Sequence, residues 1–153
     1  YAVETAIQMT LTELNENLRE IYLEAYTQKE ASEYILRETA KELYGIFGPY
    51  QPELTLQDFY DMDIGSAGLM RGFMARPCGV ELTLEKKLRL FLTMSLRAYH
   101  VPEAEIAQAL AFIEGLDIRA ISERVMQELF GALAMHFEFS LDGITTPQCA
   151  ETS

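Results

Sequence analysis

Apolar residues recur at helical spacing along most of the chain, and proline- or glycine-containing breaks divide the pattern into six predicted helices. In the first segment they step by three or four from Val3 to Ala25, with acidic residues between them. Capping sequences begin the second and third helices at Thr27 and Thr55, and Thr83 precedes the fourth. The predicted helices cover residues 2–26, 27–48, 55–75, 83–99, 103–114 and 117–139.

This pattern predicts an all-α fold, an antiparallel helical bundle of about six helices. No segment has the strict alternation of a half-buried strand. A chain of 153 residues is one domain by size. We expect residues 1–141 to form that domain and the short, polar, proline-containing residues 142–153 to be a flexible tail.

The last two predicted helices are apolar on more sides than one small domain can cover. After Leu129 the final helix has almost no polar face, and the fifth helix carries a second apolar side made of small residues. A long apolar surface of this kind usually marks an interface, and a two-fold axis would pair both helices with their copies in a four-helix interface. We therefore predict a homodimer; a central core helix in a monomer is the alternative. The predicted interface residues are Ala104, Ala107, Ala111, Met126, Phe130, Leu133, Ala134 and Phe137.

The third predicted helix contains Gly65, Gly68 and Gly72. Each glycine inside a helix costs about 0.5–1 kcal/mol relative to alanine, so some other feature should offset three of them. Close contact with another helix is one explanation. Room for a ligand, or a kink beside a cavity, is the other.

Composition narrows the classes of function. A formal net charge of −12 argues against direct contact with a nucleic-acid backbone, which requires a basic patch. Cys78 and Cys149 lie far apart without metal-ligand spacing, which favours a reducing compartment such as the cytoplasm. No apolar run is long enough for a membrane span. Because the chain begins at Tyr1 in an uncapped helical pattern, we expect it to be part of a longer or processed protein.

Candidate catalytic and metal sites are sparse, and we expect neither enzymatic activity nor a cofactor. Asp58, Asp61 and Asp63 resemble a carboxylate cluster for magnesium, but acidic residues are also favoured in the first turns of a helix. The two histidines, His100 and His136, lack the Glu-x-x-His pattern of a di-iron bundle.

Two further residues could have sensing roles. Cys78 could be a redox-sensitive thiol if Arg76 lowered its pKa, although an ordinary loop thiol is the simpler interpretation. His136 could make self-association depend on pH, although a hydrogen-bonded interface histidine is the simpler interpretation there.

Methionine and aromatic side chains are abundant, with seven Met, eight Tyr and eight Phe. Methionine adapts to varied neighbours, so these residues could line an adaptable apolar pocket; an ordinary core is the alternative. The candidate pocket residues are Tyr22, Tyr26, Tyr44, Met62, Met70, Phe73, Met74, Phe91 and Met94.

The order of these elements resembles the C-terminal ligand-binding and dimerisation domain of TetR-type transcriptional regulators. The features that carry the resemblance are the long first helix, the glycine-rich third helix ending in residues 70–74, the turn at residues 99–103 and the two final interface helices. It covers roughly residues 2–141. The family's basic helix-turn-helix is absent from this chain.

The resemblance implies a dimeric regulator, most often a repressor, that binds a small apolar or amphipathic molecule among its middle helices and reads DNA through another domain. Two other functions remain open. One is an interaction or adaptor domain that binds a partner protein through the last helix. The other is a magnesium-dependent helical enzyme that uses Asp58, Asp61 and Asp63.

Overall fold

The computed structural model describes the backbone of residues 1–141 and the side chains of residues 1–133. Within that part the fold is all-α, as predicted, with no strand. Seven α-helices follow one another, and a short 3₁₀ helix, Gly48–Tyr50, comes after the third. The helices are α1 (Ala2–Leu14), α2 (Glu16–Ala25), α3 (Lys29–Phe47), α4 (Leu56–Met74), α5 (Leu84–Ala98), α6 (Glu103–Glu114) and α7 (Ile118–Leu141).

The first predicted helix is two helices, so the prediction of one continuous helix over residues 2–26 is wrong. Asn15 interrupts it with an extended backbone (φ −143°, ψ 116°) and caps α2, its side chain accepting a hydrogen bond from the Leu18 N–H at 3.0 Å. Asparagine competes with the helical backbone in this way and favours cap positions. The helical spacing of apolar residues continues across Asn15, so periodicity alone did not reveal the break.

α1 is the central helix, since it contacts α2, α4, α5, α6 and α7. Its buried residues are not only the apolar ones that the helical spacing predicted to face the core. Thr10 and Thr12 are buried, with their hydroxyls donating to the carbonyls of Ala6 and Met9 at 2.7 and 2.8 Å. Ile21, which that spacing placed inward, is exposed on α2. The threonines can be buried because the helix backbone itself satisfies their hydroxyls.

An aromatic stack fills the core between α3, α4 and α5. The Tyr99 ring stacks on Phe47 with centroids 4.7 Å apart, and Phe59 lies parallel to Tyr99 at 6.0 Å. The Tyr1 ring meets Phe47 edge-on at 5.2 Å. These contacts fix the start of α1 against the ends of α3 and α5.

Most predicted helix ends are confirmed by hydrogen bonds. Thr55 and Asp58 form a reciprocal capping box on α4, and Thr83 caps α5. Asp117 caps α7 by accepting from the Ala120 N–H at 3.0 Å. The box predicted at Thr27 is wrong: α3 begins one residue later, and the Thr27 hydroxyl donates to the carbonyl of Glu24 instead.

The turn after α5 has a defined geometry. His100 has a positive φ of 56°, its N–H donates to the carbonyl of Arg97, and the Val101 N–H donates to the carbonyl of Leu96. These two bonds are the Schellman arrangement that ends a helix sharply. They orient α6 back along α5, and Arg97 pairs with Glu103 across the turn through two hydrogen bonds of 2.6 and 2.9 Å.

The glycines of α4 do not mark close helix packing among the described residues. A Cβ atom added at Gly65, Gly68 or Gly72 would meet nothing within 4 Å, and all three are exposed. The close-contact explanation is therefore not supported. None of the helices within residues 1–141 has both the length and the apolar composition needed to cross a membrane.

Candidate functional site

A cavity of about 350 Å³ lies among the first four helices. Its wall combines Tyr22 and Tyr26 of α2, Met70 of α4 and Phe91 of α5 with residues at the start of α1. On the α3 side, Ile35, Leu43 and Ile46 are apolar, and Thr39 and Glu42 are polar. A volume of this size is within the range of small-molecule sites in proteins.

Asp63 of α4 lies in the wall of this cavity and is only 3% exposed. Its Oδ2 atom has no hydrogen-bond partner among the described residues. Burial raises the pKa of the Asp63 carboxyl to about 7, because no cation or donor stabilises its charge there. An unsatisfied buried carboxyl carries a desolvation penalty, so a fold normally avoids one unless the group has a use.

Hydroxyl groups surround Asp63 on neighbouring helices. Tyr1 and Ser66 share the cavity wall with it, and Tyr99 lies behind them in the core. Burial raises the pKa of Tyr1 and of Tyr99, and the nearby Asp63 charge raises both further. The Tyr99 hydroxyl and the Ser95 hydroxyl also lack hydrogen-bond partners among the described residues. The polar atoms of this region thus have unused hydrogen-bonding capacity.

The rim of the cavity is acidic. Glu4 of α1 and Glu42 of α3 are exposed at its edge, and no Lys, Arg or His of the described residues is part of its lining. Three carboxyl groups without a basic side chain give the opening a negative potential.

The predicted pocket residues divide into two groups. Tyr22, Tyr26, Met70 and Phe91 line the cavity. The other five lie elsewhere. Tyr44 and Met94 are exposed, and Met74 is buried in the core. Phe73 packs edge-on against Phe91 at 6.3 Å, and Met62 lies against the core.

The cavity opens between α1, α2, α3 and α4, and only Phe91 of its lining belongs to α5. Sequence reasoning missed Tyr1, Thr5 and Ser66 and considered Asp63 only as a metal ligand. The available signal in the sequence was Asp63, an acidic residue that precedes Ser66 by about one helical turn in a mostly apolar stretch.

The three aspartates of the magnesium hypothesis do not converge. Asp58 accepts from the Thr55 N–H at 2.7 Å and from its hydroxyl at 2.6 Å, which uses it as a cap. Asp61 is exposed and accepts from Gln57 at 3.0 Å, whereas Asp63 faces the cavity. Across the described residues, His, Cys, Asp and Glu form no group of three suited to a metal ion.

Cys78 lies beside a buried ion pair rather than in an activating environment. Lys87 of α5 pairs with Glu13 of α1 and donates to the carbonyl of Arg76 at 2.5 Å, while the Cys78 N–H donates to Glu13 at 2.9 Å. Burial raises the pKa of the Cys78 thiol, and the Glu13 carboxylate raises it further, against the opposing effect of Lys87. The raised pKa does not support the alternative in which Arg76 lowers it and makes the thiol redox-sensitive.

The predicted interface surface is open to solvent in the single chain. Phe130 is 44% exposed and Leu133 is 45% exposed on α7, and Phe112 of α6 is 60% exposed. Ala104, Ala107 and Ala111 are exposed along α6, and Met126 is half-buried. The side chains of Ala134, His136 and Phe137 lie outside the described residues, as do residues 142–153, which include Cys149.

The molecule therefore offers two features for function: an acidic-rimmed cavity that contains Asp63, and an exposed apolar surface on α6 and α7. Compared with known proteins, the chain matches no family model, no curated protein and no solved structure.

Proposed function

We propose that this chain is the effector-binding and dimerisation domain of a TetR-like transcriptional regulator. The observation that carries the proposal is the exposure of Phe130 and Leu133 on α7, the long last helix, which the described residues leave uncovered there. Large apolar side chains at adjacent helical positions lose contact with water when a second copy packs against them. The exposed alanines of α6 permit close approach of that copy.

The cavity supports the sensing half of the proposal. It is partly enclosed by helices, lined largely by aromatic and aliphatic side chains, and includes Asp63, a buried carboxyl group whose Oδ2 atom has no described partner. Small-molecule sites typically combine these properties. An amphipathic ligand would place its apolar body against Tyr22, Tyr26 and Met70.

The two features are connected through α1. Tyr1, Glu4, Gln8 and Tyr22 line the cavity and also border an adjoining groove of about 520 Å³ that reaches Val125 of α7. A ligand that shifts α1 or α2 would therefore displace the part of α7 near Val125, in the helix that we propose forms the dimer interface. In the intact regulator this shift would change the separation of two DNA-reading domains, which must match the half-site spacing on the duplex.

The first test is the oligomeric state of the chain. We expect a dimer in sedimentation equilibrium at micromolar concentration, because the uncovered surface of α6 and α7 favours self-association. A monomer at all concentrations would overturn the proposal and favour the adaptor, which would dimerise only with its partner. The regulator class has a separate test: the reading frame before Tyr1 should encode a basic helix-turn-helix, and a frame without one would overturn it.

The magnesium-dependent enzyme receives less support from the geometry. Its three carboxylates have different surroundings, and Asp58 is occupied as a helix cap. Calorimetric titration with magnesium measures directly whether these carboxylates bind the ion. Heat that disappears in an Asp63→Asn variant would revive the enzyme hypothesis.

A further inference from the structure

Asp63 has the surroundings of a binding group rather than of a structural one. Buried carboxylates that stabilise a fold accept several hydrogen bonds or pair with a cation, as Glu13 does with Lys87 and the Cys78 N–H. Asp63 is more buried than Glu13, yet its Oδ2 atom has no partner among the described residues. The same side chain forms part of the cavity wall, so a molecule in the cavity can reach it.

We propose that the cavity binds an amphipathic organic amine in its protonated form, with Asp63 as the counter-ion for the ammonium group. This proposal rests on the sensing half of the proposed function, because it names the chemical class of the ligand for the same cavity. An ammonium group supplies both things that Asp63 lacks, a hydrogen-bond donor and a positive charge.

The surrounding residues favour a cation over a neutral or anionic head group. Glu4 and Glu42 at the rim add negative charge, and no basic side chain of the described lining opposes it. Tyr1, Tyr22 and Tyr26 contribute aromatic rings, whose faces attract cations. A primary ammonium has three N–H donors, and the Ser66 and Tyr1 hydroxyls lie on the same wall as Asp63 to accept the remaining ones.

The groups that face Asp63 define how pH acts on the site. Tyr1 before α1, Tyr26 after α2 and Tyr99 after α5 are titratable, and burial raises the pKa of each above the usual value for tyrosine. The tyrosine hydroxyls stay neutral at physiological pH, whereas the Asp63 carboxyl changes charge there. Because the pKa of Asp63 is raised to about 7, its carboxylate is available to an ammonium ion at pH 7.5 and largely protonated at pH 5.5.

The experiment compares three molecules that share one apolar body: 4-phenylbutylamine, 4-phenylbutan-1-ol and 4-phenylbutyrate. Isothermal titration calorimetry at pH 7.5 should show the amine binding at least about tenfold more tightly than the alcohol, and the carboxylate most weakly. At pH 5.5 the affinity for the amine should fall roughly twentyfold, because Asp63 is then protonated, while the affinity for the alcohol changes little.

Two variants separate the role of Asp63 from general effects. Asp63→Asn keeps the size of the side chain and should abolish the preference for the amine. Asp61→Asn removes an equal charge from an exposed position two residues away on the same helix and should leave the preference intact. Circular dichroism and a thermal transition establish that each variant is folded.

The outcomes distinguish this proposal from the proposed function. If the alcohol or the carboxylate binds as tightly as the amine, or if Asp63→Asn retains the preference, the amine assignment is wrong but sensing by the cavity stands. If none of the three molecules binds the unaltered protein, the amine assignment fails and the sensing role loses its support, whereas dimerisation remains separately testable.

Discussion

At the scale of single residues, Asp63 differs from the other described carboxyl groups because it is buried in a cavity wall and its Oδ2 atom has no described partner. Its burial is unfavourable for the charged form, which is why its pKa rises to about 7 from an ordinary value of 3.8. The folded state therefore holds a proton that the unfolded state has already released at pH 5–6. The carboxyl group in the cavity wall therefore makes the folded state less stable at neutral pH.

Asp63→Asn should make the free energy of unfolding less dependent on pH. Because the pKa of Asp63 is higher in the folded than in the unfolded state, its contribution to stability is complete below about pH 4 and is lost as pH rises towards 7. The variant should match the unaltered protein near pH 4 and exceed it by roughly 2–4 kcal/mol at pH 8. Urea denaturation at pH 4.5, 6 and 8 measures the difference, with Asp61→Asn as the control. If the free energy of unfolding depended on pH in the same way in the variant and the unaltered protein, burial would not raise the pKa of Asp63.

At the scale of secondary-structure elements, the pair between Glu13 and Lys87 holds α1 against α5 and the segment that precedes α5. Burial alone would raise the pKa of Glu13, but hydrogen bonds from Lys87 and from the Cys78 N–H outweigh it and lower the pKa. Lys87 also donates to the carbonyl of Arg76, which lies between α4 and α5. One ammonium group therefore contacts both α1 and the segment that precedes α5. The pair is almost fully shielded from solvent. It positions α1, and α1 in turn forms one wall of the cavity.

Glu13→Gln should destabilise the protein by about 3–5 kcal/mol, because it leaves the Lys87 charge buried without a counter-ion. Glu38→Gln removes a carboxylate from the exposed pair with Lys41 and should cost less than about 1 kcal/mol. Chemical denaturation of the two variants compares them. The double variant Glu13→Leu/Lys87→Met should recover much of the loss, since it removes both charges. Equal effects of Glu13→Gln and Glu38→Gln would mean that the buried pair has no special role.

At the scale of the whole molecule, α7 is divided between two environments. Its first turns pack on α1, with Ser122 buried and its hydroxyl donating to the carbonyl of Ile118 at 2.8 Å. From Leu129 to Leu133 the described side chains are all exposed, although Leu129, Phe130 and Leu133 are large and apolar. In the dimer that we propose, a second copy would cover these apolar side chains and extend the hydrophobic core across the interface.

Leu133→Glu should convert the dimer to a monomer, because a charge would be buried at the proposed interface without a partner. Ile64→Glu is the matched control: Ile64 is 52% exposed on α4, on a different part of the molecule. Sedimentation velocity at several concentrations distinguishes the two variants. A dimer that survives Leu133→Glu but not Ile64→Glu would move the interface from α7 to the glycine-containing face of α4.

The sequence by itself determined where most helices begin and end, since helical periodicity and caps such as Thr55, Thr83 and Asp117 are local. It also predicted four of the cavity residues, because aromatic and methionine side chains often line such sites. It did not reveal the break at Asn15, where a local hydrogen bond interrupts a stripe that continues across it.

Only the tertiary structure decided what surrounds each polar group. Asp58, Asp61 and Asp63 look alike in the sequence, yet one caps a helix, one meets solvent and one is buried in a cavity wall. Likewise, Glu13 reads as a surface residue until Lys87 and the Cys78 N–H are seen beside it. Burial and pKa depend on segments far apart in the chain, so the packing of α1 to α5 had to be known before Asp63 could be recognised as a buried carboxyl group in a cavity wall.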